Sequence, residues 1–430
     1  MTTQTDQTSQ TYVIAGARLA DGTPTDLFIA DGMLVDQAPR GAERIDAEGL
    51  LALPGLVDLH THLRQPGRED AETVATGTRA AARGGYTAVF AMANTQPVTD
   101  DAEKAEWIKL LGERDGSCFV QPIGAVTKGL KGAELAEMGL MARSGAAVRV
   151  FSDDGMCVQD PLLMRRALEW VRPLRGVIAQ HSQDGSLAGP GACCHESEIS
   201  GRLGLGGWPA VAEGVIIARD VQLAELTRSR LHVCHISTAE GVEMVRWAKK
   251  RGIDVTAEVT PHHLLLGTRE LEGYDTTYKV NPPLRTDEHI EAVREALADG
   301  TIDVVGTDHA PHAAQDKDHA FVDARPGMLG LEQALAVVME TMVETGRMDW
   351  ETLVQRMSTT PARIGGVDAF QGQALVPGSA ANLVLVDPTA RGTVDREASA
   401  SRSRNNPYHG RELPDPVVAT FWKGVRTHSR

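Results

Sequence analysis

Between about Leu53 and Pro311, the apolar residues of this 430-residue chain fall into short β-rich runs that alternate with longer stretches of helical spacing. Eight runs read as strands, over residues 55–60, 86–91, 118–125, 147–151, 176–180, 231–235, 254–259 and 302–306, and each ends in polar or glycine-containing sequence. Helical patterns separate them, for example over 71–82, 102–113, 162–171, 209–226, 241–250 and 288–298. Such alternation predicts a parallel sheet. Eight repeats predict its closure into a (β/α)8 TIM-type barrel of the α/β class.

The two ends of the chain are patterned differently. Residues 12–15, 26–30 and 33–36 at the front, and 381–386 and 417–422 at the back, read as short antiparallel strands with glycine turns. Neither end has enough apolar positions for a core of its own, so the two are expected to pair as one small β-domain that the barrel interrupts. The expected organisation is 1–54 as the first part of that domain, 55–365 as the barrel and 366–430 as the second part. Residues 399–406, rich in Ser and Arg, read as a loop.

A formal charge of −15 argues against nucleic-acid binding, which needs a basic face, and means that an anionic substrate would need a local positive patch. No run of about 18 apolar residues is present, and residues 1–10 lack the basic-then-apolar order of a signal peptide, so no membrane partner is expected. Cys118, Cys157, Cys193, Cys194 and Cys234 are odd in number and scattered, unlike a disulfide framework, and predict a cytoplasmic setting.

Catalytic groups in a barrel of this kind stand where strands end at the C-terminal face. The first strand ends in His60 and His62, which share a face at i and i+2, with Arg64 just beyond as an anion handle. Asn94 follows the second strand, Asp153 and Asp154 the fourth, His181 the fifth, His235 the sixth, and Asp308, His309 and His312 the eighth. Singly, each has an ordinary reading as a hydrogen-bonded structural residue. Gathered on one rim they do not, because buried polar groups need partners and Zn2+ satisfies imidazoles and carboxylates together. A natural arrangement has one ion on His60, His62 and Asp308, a second on His181 and His235, and Asp154 between them. Two ions about 3.5–4 Å apart can share a hydroxide and lower its pKa, making it the nucleophile.

Longer motifs carry a resemblance along essentially the whole chain. They are Asp58-x-His60-x-His62-Leu63-Arg64-x-Pro66-Gly67, Met92-Ala93-Asn94-Thr95-Gln96-Pro97, Phe151-x-Asp153-Asp154-Gly155 and Gly306-Thr307-Asp308-His309-Ala310-Pro311-His312. Thr260-Pro261-His262-His263, Lys279-x-Asn281-Pro282-Pro283-Leu284-Arg285 and Asn406-Pro407-Tyr408-x-Gly410-Arg411-Glu412-Leu413 add to them. Together they resemble dihydroorotase, of the amidohydrolase superfamily. The resemblance implies reversible hydrolytic opening of (S)-dihydroorotate to N-carbamoyl-L-aspartate in de novo pyrimidine synthesis, with two Zn2+ per subunit. It implies His60 and His62 on the first zinc, His181 and His235 on the second, Asp154 bridging, and Asp308 as ligand of the first ion and proton shuttle. Arg64, Asn94 and His312, with His62 beside them, would hold the substrate carboxylate, while Asn281 and the backbone at Pro326 and Gly327 would contact the ring. Many superfamily members bridge their metals with a carboxylated lysine after the fourth strand; here an aspartate takes that place, as in the bacterial type. Asp153 is the competing position, and spacing to His181 by resemblance favours Asp154. As partners, the resemblance implies a small-molecule substrate, a homodimer and an association with aspartate transcarbamoylase.

Other residues read as structural. Cys193-Cys194-His195-Glu196 is half of a zinc pattern with no second half. His262 and His263 follow the seventh strand as supporting or structural residues, His309 points away from Asp308, and Asp58 orients a neighbouring ligand. The glycine-rich segment 201–207 lacks the Lys-Ser/Thr ending of a phosphate loop. Segments 155–161 and 313–327 are each long enough to act as a lid. Two rival functions share these features: a hydantoinase or allantoinase acting on another ring, and a silent dihydroorotase-like scaffold for the transcarbamoylase. Arg64 with Asn94 argues against the first, and the complete ligand set against the second.

Overall fold

The computed structural model describes residues 10–430. Eight parallel strands make the barrel wall: Leu56–Thr61, Tyr86–Ala91, Phe119–Pro122, Val150–Phe151, Val177–Gln180, Arg230–Val233, Val255–Val259 and Val304–Val305. Ladders join the first three strands and the last five. Single bridges close the ring, Gly124 to Phe151 between the third and fourth strands and Thr61, at the end of the first strand, to His309 just past the eighth. Helices between the strands cover the outside, so the strands are buried on both faces and read as nearly continuous apolar runs.

Two expected boundaries move for local reasons. Of the run 147–151, only Val150 and Phe151 join the ladder. Ala147 stands at φ 49° and bonds Ser144, while Val148 bonds the carbonyl of Met141, so this stretch finishes the preceding helix. The helix expected from residue 71 begins at Val74, because Thr73 forms a capping box with Thr76 and satisfies its free N–H groups.

The chain ends join in one eight-stranded sheet, ordered Val425–Ser429, Val417–Trp422, Leu383–Val386, Leu51–Pro54, Tyr12–Arg18, Pro24–Ala30 and Met33–Val35, with Glu43–Asp46 beside Tyr12–Arg18. Strand alternation divides its side chains between two cores. Leu383 and Leu385 pack with Tyr12, Ile14, Ile29 and Phe421, whereas Val384 and Val386 face the barrel. The apolar run from Leu53 onward conceals a boundary at Gly55: Leu51–Pro54 belongs to the sheet and Leu56–Thr61 to the barrel. At Gly55 a Cβ would come within 2.3 Å of Thr87, so no larger residue fits this close crossing.

Candidate active site

Asp154 is the centre of the rim. One carboxylate oxygen lies 3.3 Å from His60 Nε2, 3.4 Å from His235 Nε2 and 3.6 Å from His181 Nδ1, and the other lies 3.4 Å from His62 Nε2. Asp308 Oδ1 is 3.0 Å from His62 Nε2 and 3.5 Å from His60 Nε2. Oδ1 of Asp154 thus faces His60, His181 and His235 and Oδ2 faces His62, and His60 is shared by two candidate cation groups, His60 with Asp154 and His235, and His60 with His62 and Asp308. Backbone geometry aims two of them, since His235 and Asp308 stand at φ 31° and 44°, conformations that non-glycine residues hold mainly where tertiary structure enforces them.

The donor set suits divalent cations. His60 Nε2 is buried with no hydrogen-bond partner, and His181 Nδ1 lies 2.8 Å from His235 Nε2, two ring nitrogens converging on one point. Imidazole nitrogens and carboxylate oxygens at these positions are the ligands expected of Zn2+. Burial would push the Asp154 and Asp308 carboxyls up, but the surrounding imidazoles, His60 foremost, outweigh it and hold both below the usual carboxylate range. Both are therefore anionic and available to a cation.

Asp153, the competing position, turns the other way. It accepts the N–H groups of Val126 and Thr127 at 2.8 and 2.9 Å and the Thr127 hydroxyl, tying the fourth strand to the third-strand loop. Asp58 accepts the N–H of His60 and of Thr307, both at 3.0 Å, and so fixes the backbone at His60 and beside Asp308, candidate ligands on two strands. His309 faces Glu72 and accepts the N–H of Gly330. Cys193, Cys194 and His195 lie on a strand, Ala192–His195, and His195 receives Arg285 Nη1 at 2.9 Å.

A cavity of about 260 Å³ opens beside the cluster, lined by Arg64, Asn94, Asn281, His312, Pro326 and Gly327 among others. Asn94 Oδ1 takes the Nδ1–H of His62 at 2.9 Å, which leaves the Asn94 amide N–H groups to face the cavity. Arg64 anchors its Nε to the carbonyl of Pro311 at 3.1 Å, with the rest of the guanidinium beyond; burial lowers its pKa to about 10, so it stays cationic. Burial and then Arg64 hold His312 well below the usual histidine range, and its Nε2–H donates to the carbonyl of Pro326 at 2.8 Å. Asn281 gives its Nδ2 to Gln183 at 3.1 Å and keeps Oδ1 buried and unpartnered, ready for an N–H donor.

Three supporting residues escaped the sequence reading. Glu258 accepts His60 Nδ1 at 2.5 Å, Gln183 accepts His181 Nε2 at 2.7 Å, and Asn405 reaches the loop after the eighth strand. A lone carboxylate within the apolar strand Val255–Val259 was the available signal for Glu258. Gln183 and Asn405 carry none, since amides in loops are ordinary.

A model of dihydro-orotase-like proteins matches residues 49–241, and one of the amidohydrolase family matches residues 191–426. The dihydroorotase of Streptomyces coelicolor is 58% identical over 96% of this chain and 97% of its own length. The dihydroorotases of Leifsonia xyli and Mycobacterium tuberculosis are 57% and 50% identical, over 97% and 96% of this chain and 96% and 97% of their own lengths. Among solved structures, the L-hydantoinase (dihydropyrimidinase) of Arthrobacter aurescens superposes with a TM-score of 0.86 at 25% identity, covering 98% of this chain and 96% of that one. Similarity of this degree along nearly the entire length places the chain in the dihydroorotase family of the metal-dependent amidohydrolases.

Proposed function

We propose that this protein opens the ring of (S)-dihydroorotate to N-carbamoyl-L-aspartate, and closes it in the reverse direction, in pyrimidine synthesis. The observation that carries the reading is that a half-buried guanidinium, Arg64, and the free amide of Asn94 line the same cavity as Asp154, His181 and Asp308, which supplies a grip for a ring carboxylate beside the candidate cation positions. His60, His62 and Asp308 would hold one Zn2+, His181 and His235 the other, with Asp154 touching both. When bound, the pair polarises a carbonyl and lowers the pKa of a water towards neutrality. Arg64 and Asn94 orient the substrate through its carboxylate, His312 shares its Nε2–H between the Pro326 carbonyl and that carboxylate, and Asn281 Oδ1 accepts a ring N–H. Asp308 takes the remaining proton of the attacking hydroxide as its oxygen bonds to the ring carbonyl carbon and delivers it to the ring nitrogen as the C–N bond breaks, leaving a carboxylate; in the closing direction the proton travels back from nitrogen to the departing oxygen.

Hydantoinases share the fold, yet a carboxylate grip has no counterpart in a plain hydantoin ring. Zinc-loaded protein is therefore assayed with dihydroorotate, hydantoin and allantoin side by side. Dihydroorotate is expected to turn over fastest; hydantoin turnover without dihydroorotate turnover would reverse the assignment. A homodimer, an association with aspartate transcarbamoylase and a cytoplasmic location belong to the same reading, and size-exclusion chromatography with and without the transcarbamoylase tests the first two. Among the described residues no helix is long and apolar enough to cross a membrane.

A further inference from the structure

We infer that Asn405, carried by the C-terminal segment and not by the barrel, is a positioning residue for the carboxylate end of the substrate pocket, an inference that rests on the dihydroorotate reading above. Its side chain is only 4% exposed, and its hydrogen-bonding groups face the loop after the eighth strand. Oδ1 accepts the backbone N–H of His312 at 3.1 Å, while Nδ2 donates to the carbonyl of Ala310 at 2.9 Å and of Gly327 at 3.1 Å. The backbone carbonyl of Asn405 also accepts the N–H of Leu329 at 3.1 Å. A side chain with one acceptor and two donors matches that arrangement, which neither Asp nor Ala can reproduce.

The two strands of loop that Asn405 joins are those that line the cavity. His312 lies on one and Gly327 on the other, and they touch closely: a Cβ at residue 327 would sit 2.7 Å from His312 Nε2. A shift of the Gly327 carbonyl therefore moves the imidazole. The outer part of the same loop is held independently, by Lys317, whose ammonium donates to the carbonyls of Thr276, Lys279 and Arg325, and by Asp316, which pairs with Arg68 and Arg325. Loss of the Asn405 amide would loosen the base of the loop and leave its outer anchors in place. Asp308 is secured separately through His62, and its neighbour Thr307 through Asp58, so the metal ligands are not expected to follow. The carboxylate grip does not touch the bonds that change, so it acts on ground and transition states alike and its loss appears in KM rather than kcat.

The test uses Asn405→Ala and, in case that variant folds poorly, Asn405→Asp, which keeps the shape and the acceptor but lacks both donors. For each, KM for dihydroorotate is expected to rise about tenfold to a hundredfold, as for buried groups left unpaired, with kcat within about threefold and zinc content unchanged. Hydrogen exchange of residues 310–312 and 327–329, measured on protein without substrate, is expected to quicken while that of 276–279 does not. This arm reads Asn405 even if dihydroorotate proves not to be the substrate, which the wild-type assay alone decides. Unaltered KM and unaltered exchange in a folded variant, or a loss of zinc with KM unchanged, would overturn the inference.

Discussion

Nδ1 of His60 lies 2.5 Å from Oε1 of Glu258, and both side chains are sealed from solvent at the floor of the site. The same carboxylate accepts His232 Nε2 at 3.1 Å and the backbone N–H of His235 at 3.2 Å. One glutamate thus orients candidate ligand residues from two strands, and it leaves the Nε2 lone pair of His60 turned towards Asp154. Replacing it by Gln is expected to weaken binding of the ion on the His60 side by about tenfold to a hundredfold. Competition with a zinc-binding dye measures this; an unchanged affinity would refute the role.

Glu258 also makes stability depend on acid. Burial alone would push its carboxyl up, but His60 and then His232 outweigh that and hold it well below the usual glutamate range. A depressed folded-state pKa means that its contribution is complete above the unfolded pKa of about 4.3 and is lost as pH falls towards the folded value. Thermal unfolding in chelator between pH 7 and 3.5 should therefore show the wild type losing midpoint below about pH 4.5 more steeply than Glu258→Gln. Parallel curves would contradict this.

Asp308→Ala removes the proposed proton carrier together with a ligand. Turnover is expected to fall by at least about 10²–10⁴-fold. Near-normal rates in the zinc-loaded variant would remove Asp308 from the chemistry.

Arg64→Met takes away the cation of the carboxylate grip while keeping an unbranched, uncharged stem in its place. KM should rise by about tenfold to a hundredfold, as for a lost hydrogen bond to a charged group, with zinc content unchanged. A fall in kcat alone would place Arg64 elsewhere in the reaction.

Prolonged chelation should abolish activity and lower the melting temperature, and added Zn2+ should restore both. The metal binds the folded rim and not the dispersed ligands of the open chain. Full activity at undetectable metal content would end the two-ion proposal.

The sequence by itself determined the α/β class, the eight βα repeats and the residue types that stand at the strand ends. Period-two and helical spacing are local properties, and a histidine after a strand is visible without knowing its neighbours. Asp154 and Asp153 looked alike there, because adjacent residues differ only in the direction their side chains take. Tertiary structure decided between them: the backbone turns Asp153 onto Val126 and Thr127 and Asp154 onto four imidazoles. It also decided where the apolar run divides at Gly55, and which distant groups support the site. Glu258 meets His60 across 198 positions and Asn405 meets His312 across 93. Such pairings leave no periodic trace along the chain, since they exist only once the closed barrel and the returning C-terminal segment bring separate backbones within hydrogen-bonding reach.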